Sequence, residues 1–240
     1  MLKIKKNSLY KVILLGFLIY IGFSFVFLWN YIEGITKIIM LIVFAWIGLL
    51  YYLLARYHSS KKGYNKLLTC LILIVILYFS LKFLFTFNHE ANHALTVLLH
   101  KVNLFEIKFL KFGVGVTVFE EIPSSFIESN IVISGSLGNV IILTLFLLVT
   151  IASRKDVKLE IFIPHYVIFG VYLYEEINYW QRSILNGLGD GWQFLELNPG
   201  IDNSIALFTI NCIIWIVIVL LSLFLFYDLY TRLFKMSRKT

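Results

Sequence analysis

Charge is scarce in this sequence. Only 15% of its residues are Asp, Glu, Lys or Arg, whereas 60% are apolar and 17% aromatic. A soluble globular domain carries about a quarter of its residues charged, so that class is excluded. Cysteine is nearly missing too. Cys70 and Cys212 both lie inside apolar runs and read as small apolar side chains, not as a disulfide or a ligand pair. No clear small-residue cleavage site accompanies the first apolar run, which is too long for a signal-peptide core and is kept as a span. There is no internal repeat, no low-complexity linker and no PDZ-like or other soluble sensor module. The formal charge of +7 does not point to nucleic acid. Basic residues sit in short clusters flanking apolar segments, which reads as membrane anchoring.

What is present is a series of long apolar runs. They predict an all-α polytopic membrane protein of about six transmembrane helices, with a small β-hairpin after the third. The expected spans are about 9–29, 35–55, a third starting at Leu67, then 129–152, 161–177 and 204–227. This divides the chain into an N-terminal two-helix hairpin (1–66), a membrane core (67–203) and a last helix with a basic tail (204–240). The third segment has neither proline nor glycine from Leu67 to His100. As one helix it would be about 50 Å long, so it must tilt, protrude, or break near Lys82 or Asn88. Ile107-Lys108-Phe109-Leu110-Lys111-Phe112 and Val114-Gly115-Val116-Thr117-Val118-Phe119 are β-prone, with Gly113 and Gly115 near the expected turn. Residues 178–203 are polar and glycine-bearing, and read as a partly re-entrant segment. Lys and Arg concentrate at both termini and in loops 56–66 and 153–160, which predicts cytoplasmic termini. The 89–93 end of the third helix, the hairpin and 178–203 then share the opposite face.

Chemistry concentrates in Asn88-His89-Glu90-Ala91-Asn92-His93-Ala94. On a helix, His89 and His93 project from one face and can hold a single metal ion. Glu90 lies beside them, placed to take a proton from water. Ionisable groups in such apolar surroundings are costly unless paired or ligated, which favours a metal site over two incidental histidines. Zinc commonly takes three protein ligands and leaves a fourth position open. His165 opens the fifth span on the far side and reads as structural or interfacial. His58 sits in a basic loop, and His100 lacks the glycine of a metzincin pattern. The residues alone leave Asp190, in Gly189-Asp190-Gly191, and the pair Glu175-Glu176 as equal candidates for the third ligand. Asp-Gly is also an ordinary turn pair, and the two glutamates also fit an interfacial position or a water route to the ion. Tyr172, Tyr174, Tyr179, Trp180 and Trp192 read as a membrane-interface belt.

His89-Glu90-x-x-His93, a β-prone segment, Ser134-Gly135-Ser136-Leu137-Gly138-Asn139 and Gly189-Asp190-Gly191 follow one another in that order. In this the chain resembles the site-2 protease family of intramembrane zinc metalloproteases, over roughly residues 75–200. The first motif matches fully. The second matches at Gly135, Leu137 and Asn139, with Ser136 where the family usually has proline. The third keeps Asp190 and Gly191, with Asn186-Gly187-Leu188-Gly189 in place of a proline-bearing approach. The resemblance implies a zinc site of His89, His93 and Asp190, with Asn139 contacting the substrate backbone or active-site water. The family usually opens its site to the cytoplasm, whereas the charge count places it outward.

The expected activity is a zinc metalloendopeptidase acting on membrane-embedded or membrane-proximal peptides. Glu90 is the expected general base, Asn139 a donor to the developing oxyanion, and the hairpin an edge on which an extended substrate can lie. Two rivals remain open at this point. One is a membrane zinc peptidase of another family with Glu175 or Glu176 as third ligand. The other is a non-catalytic metal-binding membrane protein.

Overall fold

The computed structural model describes residues 6–59, 66–111, 114–122, 124–154 and 159–237. Lys3, Lys5, Lys61, Lys62, Lys155, Lys158, Arg238 and Lys239, on which the cytoplasmic reading of the termini partly rests, lie outside the described residues. So does Gly113 of the expected hairpin turn.

The chain is mostly helical, with one small antiparallel hairpin. In order it forms α1 (Lys6–Phe27), a single 3-10 turn (Trp29–Tyr31), α2 (Gly34–Ser59), α3 (Lys66–Leu99), β1 (Leu104–Lys111) and β2 (Val114–Phe119). Four helices follow: α4 (Ser125–Ser153), α5 (Leu159–Asn186), α6 (Asp190–Leu197) and α7 (Asn203–Ser237). Helix α3 runs unbroken for 34 residues, so the expected break at Lys82 or Asn88 does not occur. It lacks the proline or glycine that would interrupt its hydrogen-bond ladder. It ends on Lys101, whose left-handed backbone (φ 59°) lets the Val102 N–H reach back to the Val97 carbonyl at 3.1 Å.

Helices α3, α4 and α5 pack on one another around Leu84, Phe87, Ala91, Ile131, Phe146 and Phe169, all buried. Phe146 and Phe169 stack with centroids 4.8 Å apart, fixing α4 against α5. Helix α1 packs on α4, and α2 on α3. Helix α5 continues about ten residues past the expected end of the fifth span, and part of the expected re-entrant stretch folds as α6. The residues from Asn178 onward pack under α6, Trp180 against Phe194 with centroids 5.5 Å apart, which sustains the helix.

By length and composition, two helical stretches among the described residues suffice to cross a membrane: Ser125–Ala152 and Asn203–Thr231. The expectation was about six. From Val75 onward α3 carries Lys82, Asn88, His89, Glu90, Asn92 and His93, and the apolar run of α5 is interrupted by Glu175, Glu176 and Arg182. The described apolar stretches of α1 and α2, Leu18–Phe27 and Gly34–Trp46, are shorter. Helix α7 is exposed along most of its length, showing Phe208, Trp215, Leu220, Leu223 and Phe226. Its buried Asp228 meets Arg154 at 3.5 Å.

The hairpin lies across α3. β1 pairs with β2 through Ile107 opposite Thr117 and Phe109 opposite Gly115. The other edge of β1 is occupied as well. Glu33 N–H donates to the Ile107 carbonyl (2.8 Å), and Phe109 N–H donates to the Thr36 hydroxyl (2.9 Å). The outer edge of β2 has no strand partner among the described residues.

Candidate metal centre

His89 and His93 stand one turn apart on α3, with rings 4.7 Å centroid to centroid and nearly perpendicular. Each has its Nδ1 committed elsewhere. His93 Nδ1 is 2.6 Å from the Ile131 carbonyl, and His89 Nδ1 is 3.1 Å from Glu176 Oε1. Both partners only accept, so each Nδ1 carries the proton and donates. That leaves both Nε2 atoms to face the third group. They lie 3.0 Å apart, and Asp190 Oδ2 is 2.9 Å from one and 3.2 Å from the other. Three such atoms converging at these distances repel unless protons or a metal ion sit among them. A tetrahedral ion with bonds of 2.0–2.1 Å would set its donors about 3.3 Å apart, close to this triangle. His89, His93 and Asp190 therefore form a group that can hold a metal ion.

Asp190 reaches the histidines because of the turn before it. Gly187 and Gly189 have positive φ (65° and 91°), a conformation that side chains other than glycine rarely adopt. The reversal sets Asp190 in the first turn of α6. Ser183 Oγ accepts from the Trp192 N–H (3.0 Å), holding that end of α6 to α5. Burial pushes the Asp190 carboxyl up, but hydrogen bonds and charge from the two histidines outweigh it and hold the group well below the usual carboxylate range.

Glu90 is buried beside β2. Thr117 Oγ1 donates to Glu90 Oε2 at 2.8 Å. Gly115 passes so close that a Cβ there would run into the Glu90 side chain. Gly115 lies near the turn, as expected, within β2 opposite Phe109, where only a hydrogen leaves room for the acid. Gly135 does the same for the histidines, since a Cβ would collide with Nε2 of both. A Cβ on Gly138 would collide with Asn92. These two glycines let α4 close onto α3. Leu137, between them, is exposed.

Asn139 has no proton to spare. Its Nδ2 donates to the Phe85 carbonyl (3.1 Å) and to Glu176 Oε2 (3.0 Å), and its Oδ1 accepts from Asn88 Nδ2 (2.6 Å). Both amide protons are used, so the expected role as an oxyanion donor is not available in this arrangement. Asn139 instead holds Glu176, which holds His89.

The two glutamates are not surface groups. Glu175 is engaged by Lys82 Nζ (2.6 Å) and the Tyr78 hydroxyl (2.9 Å). Glu176 meets His89 at Nδ1, on the opposite side of the ring from Nε2. Neither stands where a third ligand would. These two side chains, in the body of α5, take up their roles only once α5 is packed on α3, which the sequence alone does not display. His165 packs beside Phe169 and is outside the ligand group, and His100 is exposed beyond the end of α3. The missed residues, Thr117, Tyr179 and Ser183, left a weak trace. Tyr172, Glu175, Glu176, Tyr179 and Ser183 recur at helical spacing, which marks one polar face of α5.

That face, α3 and β2 enclose a cleft of about 450 Å³ lined by Lys82, Thr86, Glu90, Gly115, Tyr179 and Arg182 among others. It reaches the Glu90 side of the metal group and the free edge of β2. Glu176→Gln keeps the shape of the His89 partner but removes its charge. It is expected to weaken metal affinity about 10–100-fold, read by chelator competition, without abolishing binding. Unchanged affinity would make the Glu176–His89 contact incidental.

Comparison with protein-family models, with curated proteins and with solved structures finds no match to this chain.

Proposed function

We propose that the chain is an intramembrane zinc metalloprotease of the site-2 protease type. The observation that carries this reading is the meeting of His89, His93 and Asp190 around one point, with Glu90 beside them at the wall of a cleft. When bound, zinc supplies the Lewis acidity that makes water nucleophilic near neutral pH and polarises a scissile carbonyl. The donor set fits zinc, with two imidazole nitrogens and one carboxylate.

Glu90 takes the proton from the attacking water and delivers it to the leaving amine. Thr117 holds the Glu90 carboxylate by one oxygen and leaves the other for this transfer. The free edge of β2 receives the substrate as an added strand, since β1 is already covered on its outer side. Such pairing unwinds a helical segment and presents its backbone at the cleft. In this reading α1, α2, α3 and α5 also lie in the bilayer, giving about six spans, with both termini cytoplasmic. The polar faces of α3 and α5 turn toward each other and away from lipid. Substrates are membrane-embedded or membrane-proximal peptides.

The test is cleavage of a membrane-inserted peptide by detergent-purified protein. Activity is expected to vanish on chelation and to return with about one equivalent of zinc. Tight, stoichiometric zinc binding with no cleavage of any membrane peptide would instead favour a metal-binding protein without this activity.

A further inference from the structure

Stabilising the charge that develops on a scissile carbonyl requires a preorganised hydrogen-bond donor, and Asn139 has no proton left to give. The other polar side chains of the cleft are largely committed. Lys82 is tied to Glu175, and Ser183 is buried and holds the Trp192 amide. Arg182 is exposed. Tyr179 is different. Its ring stands edge-on to His89, with centroids 5.8 Å apart and planes at 88°. Its hydroxyl lies beside the main chain of Asp190, accepting from that N–H at 3.3 Å. The tyrosine thus touches two of the three ligand residues and also lines the cleft.

The loop is shaped around this hydroxyl. Gly189, at φ 91°, comes so close that a Cβ would sit 2.9 Å from the Tyr179 oxygen. An oxygen that accepts from a backbone amide keeps its own proton for another partner. In the resting site the neighbouring Asp190 carboxylate competes for that proton. A carboxylate that shares its charge with a metal ion is the poorer acceptor, and a carbonyl oxygen gaining negative charge is the better one.

We propose that Tyr179 is a catalytic residue of the peptide-hydrolysing site, donating its phenolic hydrogen bond to the carbonyl oxygen as it becomes an oxyanion. No bond to tyrosine forms or breaks: the proton stays on the phenol, and the water proton still travels through Glu90 to the leaving amine. The inference rests on the protease reading above.

Tyr179→Phe removes only the hydroxyl. With a membrane-inserted peptide, kcat is expected to fall about 100–1,000-fold while KM changes little. Zinc content is expected to stay at the parent level. Binding of a peptide carrying a phosphonate in place of the scissile amide is expected to weaken by a similar factor, whereas binding of the unmodified peptide to Glu90→Gln/Tyr179→Phe matches that to Glu90→Gln alone. Wild-type kcat in Tyr179→Phe overturns the proposal. So does zinc loss in step with activity, because Tyr179 would then only hold Asp190. So does an equal loss of affinity for phosphonate and unmodified peptide. A parent protein that neither cleaves the peptide nor binds the phosphonate removes the protease reading itself and this inference with it.

Discussion

Glu90→Gln is expected to bind metal as the parent does and to lose about 100–10,000-fold in peptide hydrolysis. Glutamine is nearly isosteric with glutamate, and its amide oxygen can still accept from Thr117 Oγ1. The tight passage past Gly115 is therefore preserved. What is lost is a group able to take a proton from water and pass it on. The ligand atoms on His89, His93 and Asp190 are untouched, so metal per chain serves as the internal control. Parent-level hydrolysis by this variant would remove Glu90 from the mechanism. Loss of metal together with activity would make it a structural residue.

Asp190→Ala and His93→Ala are each expected to abolish stoichiometric metal binding, whereas Glu175→Ala is expected to leave it intact. Removing the carboxylate leaves two of the three converging donors, the imidazole nitrogens 3.0 Å apart, one fewer than a zinc site usually takes from protein. Glu176 cannot replace it, because it lies on the Nδ1 side of His89. His93 is equally hard to replace, since its ring is locked by the Ile131 carbonyl and enclosed by Gly135. Metal per purified chain, measured by elemental analysis, decides the matter. Metal retained in Asp190→Ala but lost in the Glu175 or Glu176 variants would transfer the third position to α5 and restore the rival peptidase reading.

The histidine pair was legible in the sequence because helical spacing is a local property. Four residues place two rings on one face whatever the rest of the chain does. The hairpin was legible for a similar reason, from its β-branched and aromatic alternation. The choice between Asp190 and the glutamates was not open to local reading. It depends on the Gly187–Gly189 reversal and on the rotation of α5 about its axis, both fixed by long-range packing. Glu176 shows the same limit: its neighbours in sequence suggest an interface, and its neighbours in space are His89 and Asn139. Asn139 was singled out through a motif, but its hydrogen bonds reveal a holding role that no motif carries. The span count is another matter. Hydropathy weighs side chains one by one, and Glu175 and Glu176, which the fold turns toward α3, dilute the apolar run of α5.

The third ligand belongs to a separate short helix, reached through a turn with two left-handed glycines. An ion held there joins α3 to α6 as a removable clasp, across 101 positions of sequence from His89 to Asp190. Its binding free energy then counts toward the stability of the folded chain, about 2.7 kcal/mol when free ion stands at a hundred times the dissociation constant. The ion's departure would release α6 from one of its anchors, leaving Ser183, the Glu128–Gln193 contact (2.9 Å) and the Ser129–Asn198 contact (2.7 Å) to hold it. The ambient supply of metal would thus set how firmly one wall of the cleft is fastened.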